Sequence, residues 1–329
     1  MKLRHKRRKL QKRKRSNSLY IKNEKLGIFS EFFLYFIIMT TISIINDDCI
    51  SEMKNIKDNT VDLIISDPPY YKVVNEKWDY KWKTEDDYVK WSLDWIKEAT
   101  RVLRLGGTFY LFGYFRTLAL LVPHFKSLGL ELRQQIIIDK GMRAVSGRST
   151  KNYRMFPNVT ESLLFLTKDN KQFIKPFLKE HQAKKGLSSK EINEKLGLKS
   201  NGGGMWSIYT GNNVAEQFPT KELWNKLSNV LDFDLEYEKI AQTFNPIMGI
   251  TDVWRDIDFY KEKHLHPTQK PLDLITRLIK ASSNENDLVL DPFGGSGTTA
   301  LACKNENRNC ISIELDETYC NIAKNRIKG

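Results

Sequence analysis

With 329 residues, 40% of them apolar and 11% aromatic, the chain can bury one large core or two smaller ones. Its four cysteines (Cys49, Cys303, Cys310, Cys320) form no CxxC pair and take no metal-ligand spacing with the five histidines. A disulfide frame and a zinc site are therefore excluded, and the thiols read as buried groups in a reducing cytosol. The net charge of +13 is concentrated: residues 1–38 hold twelve Lys/Arg against two acids, so only about three net positive charges remain for everything else. Bulk basicity is thus a weak argument for nucleic acid, and motifs must carry any such claim.

The N-terminal stretch follows its basic residues with the apolar run Phe32–Met39. Eight residues fall well short of the roughly 20 that span a bilayer, and no small-residue cleavage site follows. Residues 1–38 are expected to be an extension outside the fold, with a basic DNA-binding arm as the alternative; no membrane partner is expected.

From about residue 42 onward, short β-branched runs alternate with helical patterns, as in an open, mostly parallel sheet. Strands are predicted at Ile42–Ile45, Val61–Ser66, Thr108–Phe112, Gln135–Asp139, Ser162–Thr167, Leu288–Leu290 and Asn309–Glu314. Helices are predicted over Glu85–Leu105, stopped by Gly106-Gly107, and over Pro271–Ser282, Thr298–Lys304 and Glu317–Lys328. Residues 140–262 break this rhythm and read as an insert that also holds the last sheet strand. Within it, Ser188 and Glu191 form a capping-box pattern ahead of a short helix that ends at Gly197, and a second helix is predicted over Thr220–Leu231. These two helices suit either a helix-turn-helix-like reader or a solvated hairpin. Residues 39–139 and 263–329 form the two halves of the main domain.

Two segments carry chemistry. In Val61–Ser66 followed by Asp67-Pro68-Pro69-Tyr70, a buried strand delivers a carboxylate to its C-terminal edge, where open α/β sheets place their sites. The two prolines remove backbone donors, so the turn is rich in hydrogen-bond acceptors and has a Tyr ring beside it. Such a turn suits an amino group on a planar base: accepting its N–H bonds frees a delocalised lone pair for attack on an electrophile. The plain alternative is a strand-to-loop turn punctuated by prolines. In the second segment, Leu288–Leu290 runs into Asp291-Pro292-Phe293-Gly294-Gly295-Ser296-Gly297-Thr298-Thr299, a strand, a glycine-rich turn and a helix start. Its glycines permit close approach by a ligand, and the helix offers N–H groups to a carboxylate. Glu314, at the end of the next strand, stands where an acid commonly accepts ribose hydroxyls. The dinucleotide pattern GxGxxG and a Walker lysine are both missing, which disfavours nicotinamide and ATP.

Asp67–Tyr70 resembles the DPPY motif of amino-methylating DNA methyltransferases, Asp291–Thr299 resembles their DPFGGSGTT motif, and His266-Pro267-Thr268-Gln269-Lys270-Pro271 resembles their HPTQKP element. The order of the three is that of the circularly permuted beta class. The resemblance covers about Thr41 to Gly329 and implies a Rossmann-like, S-adenosylmethionine-dependent methyltransferase fold. That fold has a mostly parallel seven-stranded sheet with a target-recognition insert at 140–262. It further implies methylation of N6 of adenine in duplex DNA, with N4 of cytosine as the rival, RNA as a third substrate and a non-catalytic DNA-binding protein as the rival of another class. Asp67, Pro68, Pro69 and Tyr70 would be catalytic. Asp48, in a turn similar to the family's Gly-Asp-Cys but with Asp47 in place of Gly, would contact the cofactor's adenine, and Glu314 its ribose. Asp291, Pro292, Phe293, Gly294, Gly295, Ser296, Gly297 and Thr298, with His266, Thr268 and Lys270, would complete the cofactor pocket. Trp78, within Trp78-Asp79-Tyr80-Lys81-Trp82, is a candidate for holding an extruded base, although tryptophans also anchor loops by packing. Lys140, Arg143, Arg148, Lys151 and Arg154 are candidates for phosphate contact, against a solvated loop. A cognate restriction endonuclease is the expected partner, with a monomer or homodimer as the oligomeric state.

Overall fold

The computed structural model describes residues 40–71, 80–145, 154–198, 204–211 and 217–328. Trp78, Arg148, Lys151 and the 1–38 extension lie outside them. From Ile42 onward the chain forms one compact unit. Its strands are β1 (Ile42–Asn46), β2 (Val61–Ser66), β3 (Leu103–Gly113), β4 (Leu130–Asp139), β5 (Thr160–Lys168), β6 (Val253–Trp254), β7 (Leu288–Asp291) and β8 (Asn309–Glu314). They build one sheet in the order β1-β8-β7-β2-β3-β5-β4-β6. All pairings are parallel except those of β5, which runs antiparallel to both β3 and β4.

The seven predicted strands are present, and the two-residue β6 adds an eighth. A two-residue strand has no period to read; it forms because the chain must return along the sheet, pairing Ile137 with Val253 and Ile138 with Trp254.

Helices α1 (Cys49–Met53), α2 (Glu85–Val102) and α3 (Phe115–Phe125) precede β4; α4 (Lys171–Lys185), α5 (Ser189–Lys195), α6 (Gly204–Thr210) and α7 (Lys221–Leu231) follow β5. Helices α8 (Leu272–Ser282), α9 (Thr298–Asn305) and α10 (Glu317–Lys328) complete the described set. Alternation along β2 shows why the sheet is covered on both faces. Leu63 and Ile65 join one core with Leu274, Ile275 and Leu278 of α8. Val61 and Ile64 join another with Trp95, Ile96 and Ala99 of α2. Helix α2 ends three residues before the predicted Leu105. Leu103 already pairs with Val61, and the Gly106-Gly107 step is a kink inside β3. A side chain at Gly106 (φ +68°) would put its Cβ 2.5 Å from the Ile240 carbonyl oxygen, so the glycine is needed for close packing there.

Between β5 and β6 the chain builds a helical lobe with its own core, which includes Ile174, Leu178, Ile192, Trp206, Trp224 and Leu227. Among the described residues four helices stand where two were expected. The capping box at Ser188 and Glu191 is present at the start of α5. Helix α4 was hidden by Pro176 in its first turns and by its polar composition, and α6 by the glycines ahead of it. The lobe is rooted at the edge of the sheet where the parallel strands begin. There Lys168 donates to Asn59 and to the carbonyls of Arg101 and Leu103, and buried Arg104 pairs with Asp62 at 2.7 Å and donates to the Ala241 carbonyl. Among the described residues no helix is long and apolar enough to cross a membrane, and no His/Cys/Asp/Glu group could hold a metal ion.

Candidate active site

At the opposite edge, where the parallel strands end, lies a cavity of about 350 Å³. Its lining brings together Asp67, Pro68 and Pro69 after β2, Asp48 after β1 and Asp291–Ser296 with Thr298 after β7. Glu314 joins them from β8, and His266, Thr268 and Lys270 from the segment before α8. Residues more than 200 apart in sequence thus meet because parallel strands carry all their C-terminal ends to one edge.

At one end of the cavity is a buried ion network. Lys270 sets its ammonium 2.6 Å from Asp67 Oδ2. The Tyr70 hydroxyl lies 2.8 Å from Asp67 Oδ1 and 2.7 Å from Glu161 Oε1. Glu161 also receives Lys140 at 3.0 Å on Oε2 and stands 3.5 Å from Lys270. Two carboxylates therefore face two ammonium groups around one hydroxyl. Lys270 is only 7% exposed and Glu161 8%. Burial pushes Asp67 above the usual carboxylate range, with Lys270 opposing and Glu161 adding to the rise. Burial acts on Glu161 in the same sense, but there Lys270, Lys140 and the Tyr70 hydroxyl together prevail and hold it below its usual value. Burial, with the two carboxylates beside it, pushes the Tyr70 hydroxyl well up. Burial disfavours the Lys270 cation, yet Asp67 and Glu161 outweigh it, and the ammonium is held above its usual value.

Two expected site residues have partners within the chain. Lys270, expected at the cofactor, places its ammonium on the Asp67 carboxylate. Lys140, expected on phosphate, is the partner of Glu161, because the end of β4 carries it to the same edge. Arg143 lies against the ring of Tyr260, 5.8 Å from its centroid, and Arg154 is exposed.

The glycine-rich loop is built largely for itself. Gly294 N–H donates to Ile313 O, Gly295 N–H to Glu314 Oε2 at 2.7 Å and Gly297 N–H to Gly294 O. A side chain at Gly294 would collide with Ser312 Oγ, and one at Gly297 (φ +80°) would place its Cβ 2.8 Å from Ala323 Cβ. Of the three, only Gly295 (φ +49°) has room for a Cβ, which would stand in ordinary contact with the His266 ring at 3.9 Å. The first-turn N–H groups of α9, from Thr298, have no acceptor within the helix. Phe293 packs edge-on against Trp95 at 5.0 Å, which ties the loop to α2. His266 stacks edge-to-face on Tyr319 at 4.3 Å and accepts from Thr268, a supporting position. Gln269 accepts from Ser296 Oγ at 2.8 Å and joins the segment to the loop. Asp48 caps α1, its Oδ1 accepting from Ile50 and Ser51 N–H at 3.0 Å. Trp82 is buried against Tyr88 and Trp91 at 5.0 and 4.6 Å, so this end of the tryptophan loop packs.

Asp291 is 5% exposed, and burial pushes its carboxyl up to about 7. The unfolded chain, with an ordinary value of about 3.9, releases that proton first. The stabilisation is therefore complete below about pH 4 and lost as pH rises toward 7, an effect on the order of 4 kcal/mol. Urea midpoints measured from pH 4.5 to 7.5 should fall more steeply for the wild type than for Asp291→Asn; equal slopes would contradict the assignment.

Glu161 and Gln269 were missed by sequence reasoning. Gln269 lay inside a recognised motif. The signal for Glu161 is a lone acid opening an apolar strand.

A doubly covered, mostly parallel sheet with an acceptor-rich cavity at its carboxyl edge is the architecture of a Rossmann-like methyltransferase. A family model described as DNA methylase, covering N6 and N4 methyltransferases, matches residues 61–325. The chain belongs to this DNA methylase family. It is 29% identical over 296 residues to the type II methyltransferase M.HpaI of Haemophilus parainfluenzae, covering 86% of this chain and 73% of that one. With M.HinfI of Haemophilus influenzae it shares 24% identity over 300 residues, covering 87% and 68%. Among solved structures it resembles the M1.HpyAVI–SAM complex (TM-score 0.53, 24% identity, 87% of this chain and 100% of that one). It also resembles the cytosine-N4-specific PvuII DNA methyltransferase (TM-score 0.54, 14% identity, 87% of each chain).

Proposed function

We propose that the chain is a site-specific, S-adenosylmethionine-dependent DNA methyltransferase acting on N6 of adenine in duplex DNA. The observation that carries the reading is the placement of the Asp67 carboxylate in one cavity with the Asp291–Thr298 loop and Glu314, so that an amine acceptor and a cofactor seat share a wall. The lining fits S-adenosylmethionine: six carboxylates (Asp47, Asp48, Asp67, Asp291, Glu314, Asp316) stand against Lys81 and Lys270, a surface suited to a sulfonium cation and to hydroxyl and amino donors. Glu314 would hold the ribose, Asp48 through its uncapped Oδ2 the adenine, and the first turn of α9 the carboxylate. When bound, the cofactor supplies an electrophilic methyl group.

The protein's part is to present the amine. Asp67 and the Pro68 carbonyl accept its N–H bonds; the Pro69 carbonyl is already taken by the Tyr88 hydroxyl at 3.0 Å. Tyr70 has the Lys270 ammonium on one side of its ring, 5.5 Å from the centroid, and offers the other to a stacked base. The carboxyl of Asp67, raised by burial, is disposed to take the proton lost on methylation. An aspartate ahead of Pro68-Pro69-Tyr70 favours adenine over cytosine by family resemblance. Exposed groups near the same edge, Arg143, Arg154 and Phe156 (96% exposed), supply charge and an apolar side chain for duplex DNA. By likeness to type II methyltransferases, a restriction endonuclease with the same target is the expected partner.

Nucleoside mass spectrometry of DNA treated with purified protein and S-adenosylmethionine should show N6-methyladenine. N4-methylcytosine alone would overturn the adenine assignment, and no methylated base would overturn the enzymatic reading.

A further inference from the structure

Glu161 has no place in the sequence motifs, yet it is one of the most enclosed members of the ion network. It reaches the active site because β5 is reversed. Ser162 pairs with Gly113 at the end of β3 and Glu161 with Ile138 near the end of β4, so the first residues of β5 lie at the edge where the parallel strands finish.

Proton counting shows what it can do there. The Tyr70 hydroxyl has one proton and two carboxylate oxygens at 2.8 and 2.7 Å. Both are hydrogen-bond distances, and each needs a proton between its oxygens. With both carboxylates ionised only one contact is satisfied. With one extra proton on Asp67, both are: Asp67 donates to the Tyr70 oxygen, and Tyr70 donates to Glu161. The chain Asp67–Tyr70–Glu161 is therefore complete only when it holds one proton more than its fully ionised form.

We propose that Glu161 is a positioning residue for methyl transfer, which accepts the Tyr70 hydroxyl proton so that Asp67 can store the proton released by the methylated amine. This rests on the methyltransferase reading above. The step balances. The amine nitrogen forms its bond to the methyl carbon, the sulfonium C–S bond breaks with its electron pair going to sulfur, and the resulting ammonium gives one proton to Asp67 Oδ1. That oxygen then donates to Tyr70, whose hydroxyl swings to Glu161 Oε1. Lys140, at 3.0 Å on Oε2, and Lys270 keep Glu161 ionised and in place. The extra proton thus rests on Asp67, in keeping with the opposite directions in which the two carboxyls are displaced. The proton is returned to solvent when the products leave.

The test is Glu161→Gln, the same shape without the charge. The amide can donate to the Tyr70 oxygen, which turns the Tyr70 hydroxyl toward Asp67 and favours its ionised form; losing the Glu161 charge acts in the same direction. Single-turnover transfer of labelled methyl from S-adenosylmethionine to DNA free of amino-methylated bases should slow by about 10- to 100-fold, less than loss of the general acid–base group itself, because Glu161 acts through Asp67. The acid limb of its pH profile should move to lower pH by about one unit. Cofactor affinity, measured by calorimetry, should stay within about threefold, which also shows that the variant is folded. In a Tyr70→Phe background the link is gone, and Glu161→Gln should move the acid limb by less than half as much. An unmoved acid limb, with or without a slower rate, overturns the proposal, as does an undiminished shift in the Tyr70→Phe background. Should Asp67→Asn, measured alongside, keep full activity, it is the reading of Asp67 itself that fails.

Discussion

Replacing Asp67 with alanine is expected to abolish methyl transfer, by at least about a thousandfold in single turnover, while S-adenosylmethionine binding survives within a few-fold. The exocyclic amine has its lone pair delocalised into the base, and Asp67 is the ionisable acceptor that faces the cavity from the DPPY turn. Without it the nitrogen is neither turned toward the methyl group nor relieved of its proton. The seats proposed for the cofactor, at Glu314, Asp48 and α9, lie on other strands and helices and keep their geometry. Alanine also leaves the Lys270 ammonium with Glu161 as its remaining carboxylate, at 3.5 Å, so Asp67→Asn is the companion variant that keeps shape and hydrogen bonds. Both should be inactive. Transfer at wild-type rate in either would remove Asp67 from the catalytic role.

Lys270→Met should have the second large effect, on stability. The ammonium is 7% exposed and stands between Asp67 and Glu161. Removing one partner of a buried ion network leaves uncompensated charge and costs about 3–5 kcal/mol. The sign with pH follows from the carboxylates left behind. Without the cation both are pushed up, and protonated carboxyls need no counter-ion, so the deficit relative to wild type should be greatest above neutral pH and shrink as pH falls. The acid limb of methyl transfer should move upward, opposite to Glu161→Gln. Equilibrium denaturation at pH 5 and pH 8 checks the first statement; an equal deficit at both would contradict it.

The methyltransferase body was legible because its signals are local. β-Branched strand runs, helix stops and three motifs can each be read within a few residues, two of the motifs stand at the ends of parallel strands, and the positions of Asp67, Asp291 and Glu314 followed from strand direction. What escaped depended on direction and on partners far along the chain. Glu161 reads as a polar start to the strand Ser162–Thr167 until β5 is known to run backwards. Lys140 and Lys270 read as phosphate and cofactor groups, and their ion pairs with Glu161 and Asp67 cannot be read along the chain because the partners come from other strands. The glycines of the 294–297 turn read as ligand-facing, and Gly294 and Gly295 do line the cavity, but the need for small size at Gly294 and Gly297 comes from Ser312 and Ala323. In the lobe, α4 is polar and carries Pro176 inside it, α6 is only seven residues long, and their folding depends on a core shared across four helices.

The reversal of β5 also sorts the chain's insertions by side. Its first residue opens from the edge that carries Asp67, and its last leads to the helices rooted where Lys168 and Arg104 fasten the opposite edge. A protein of this plan has two independent outlets. Lengthening or replacing α4–α7 alters the edge opposite Asp67, whereas changes at the end of β4 or the start of β5 fall beside Glu161 and its partners. Substitutions at the two outlets should therefore be separable, the one acting on the packing of the lobe and the other on the ion network around Glu161.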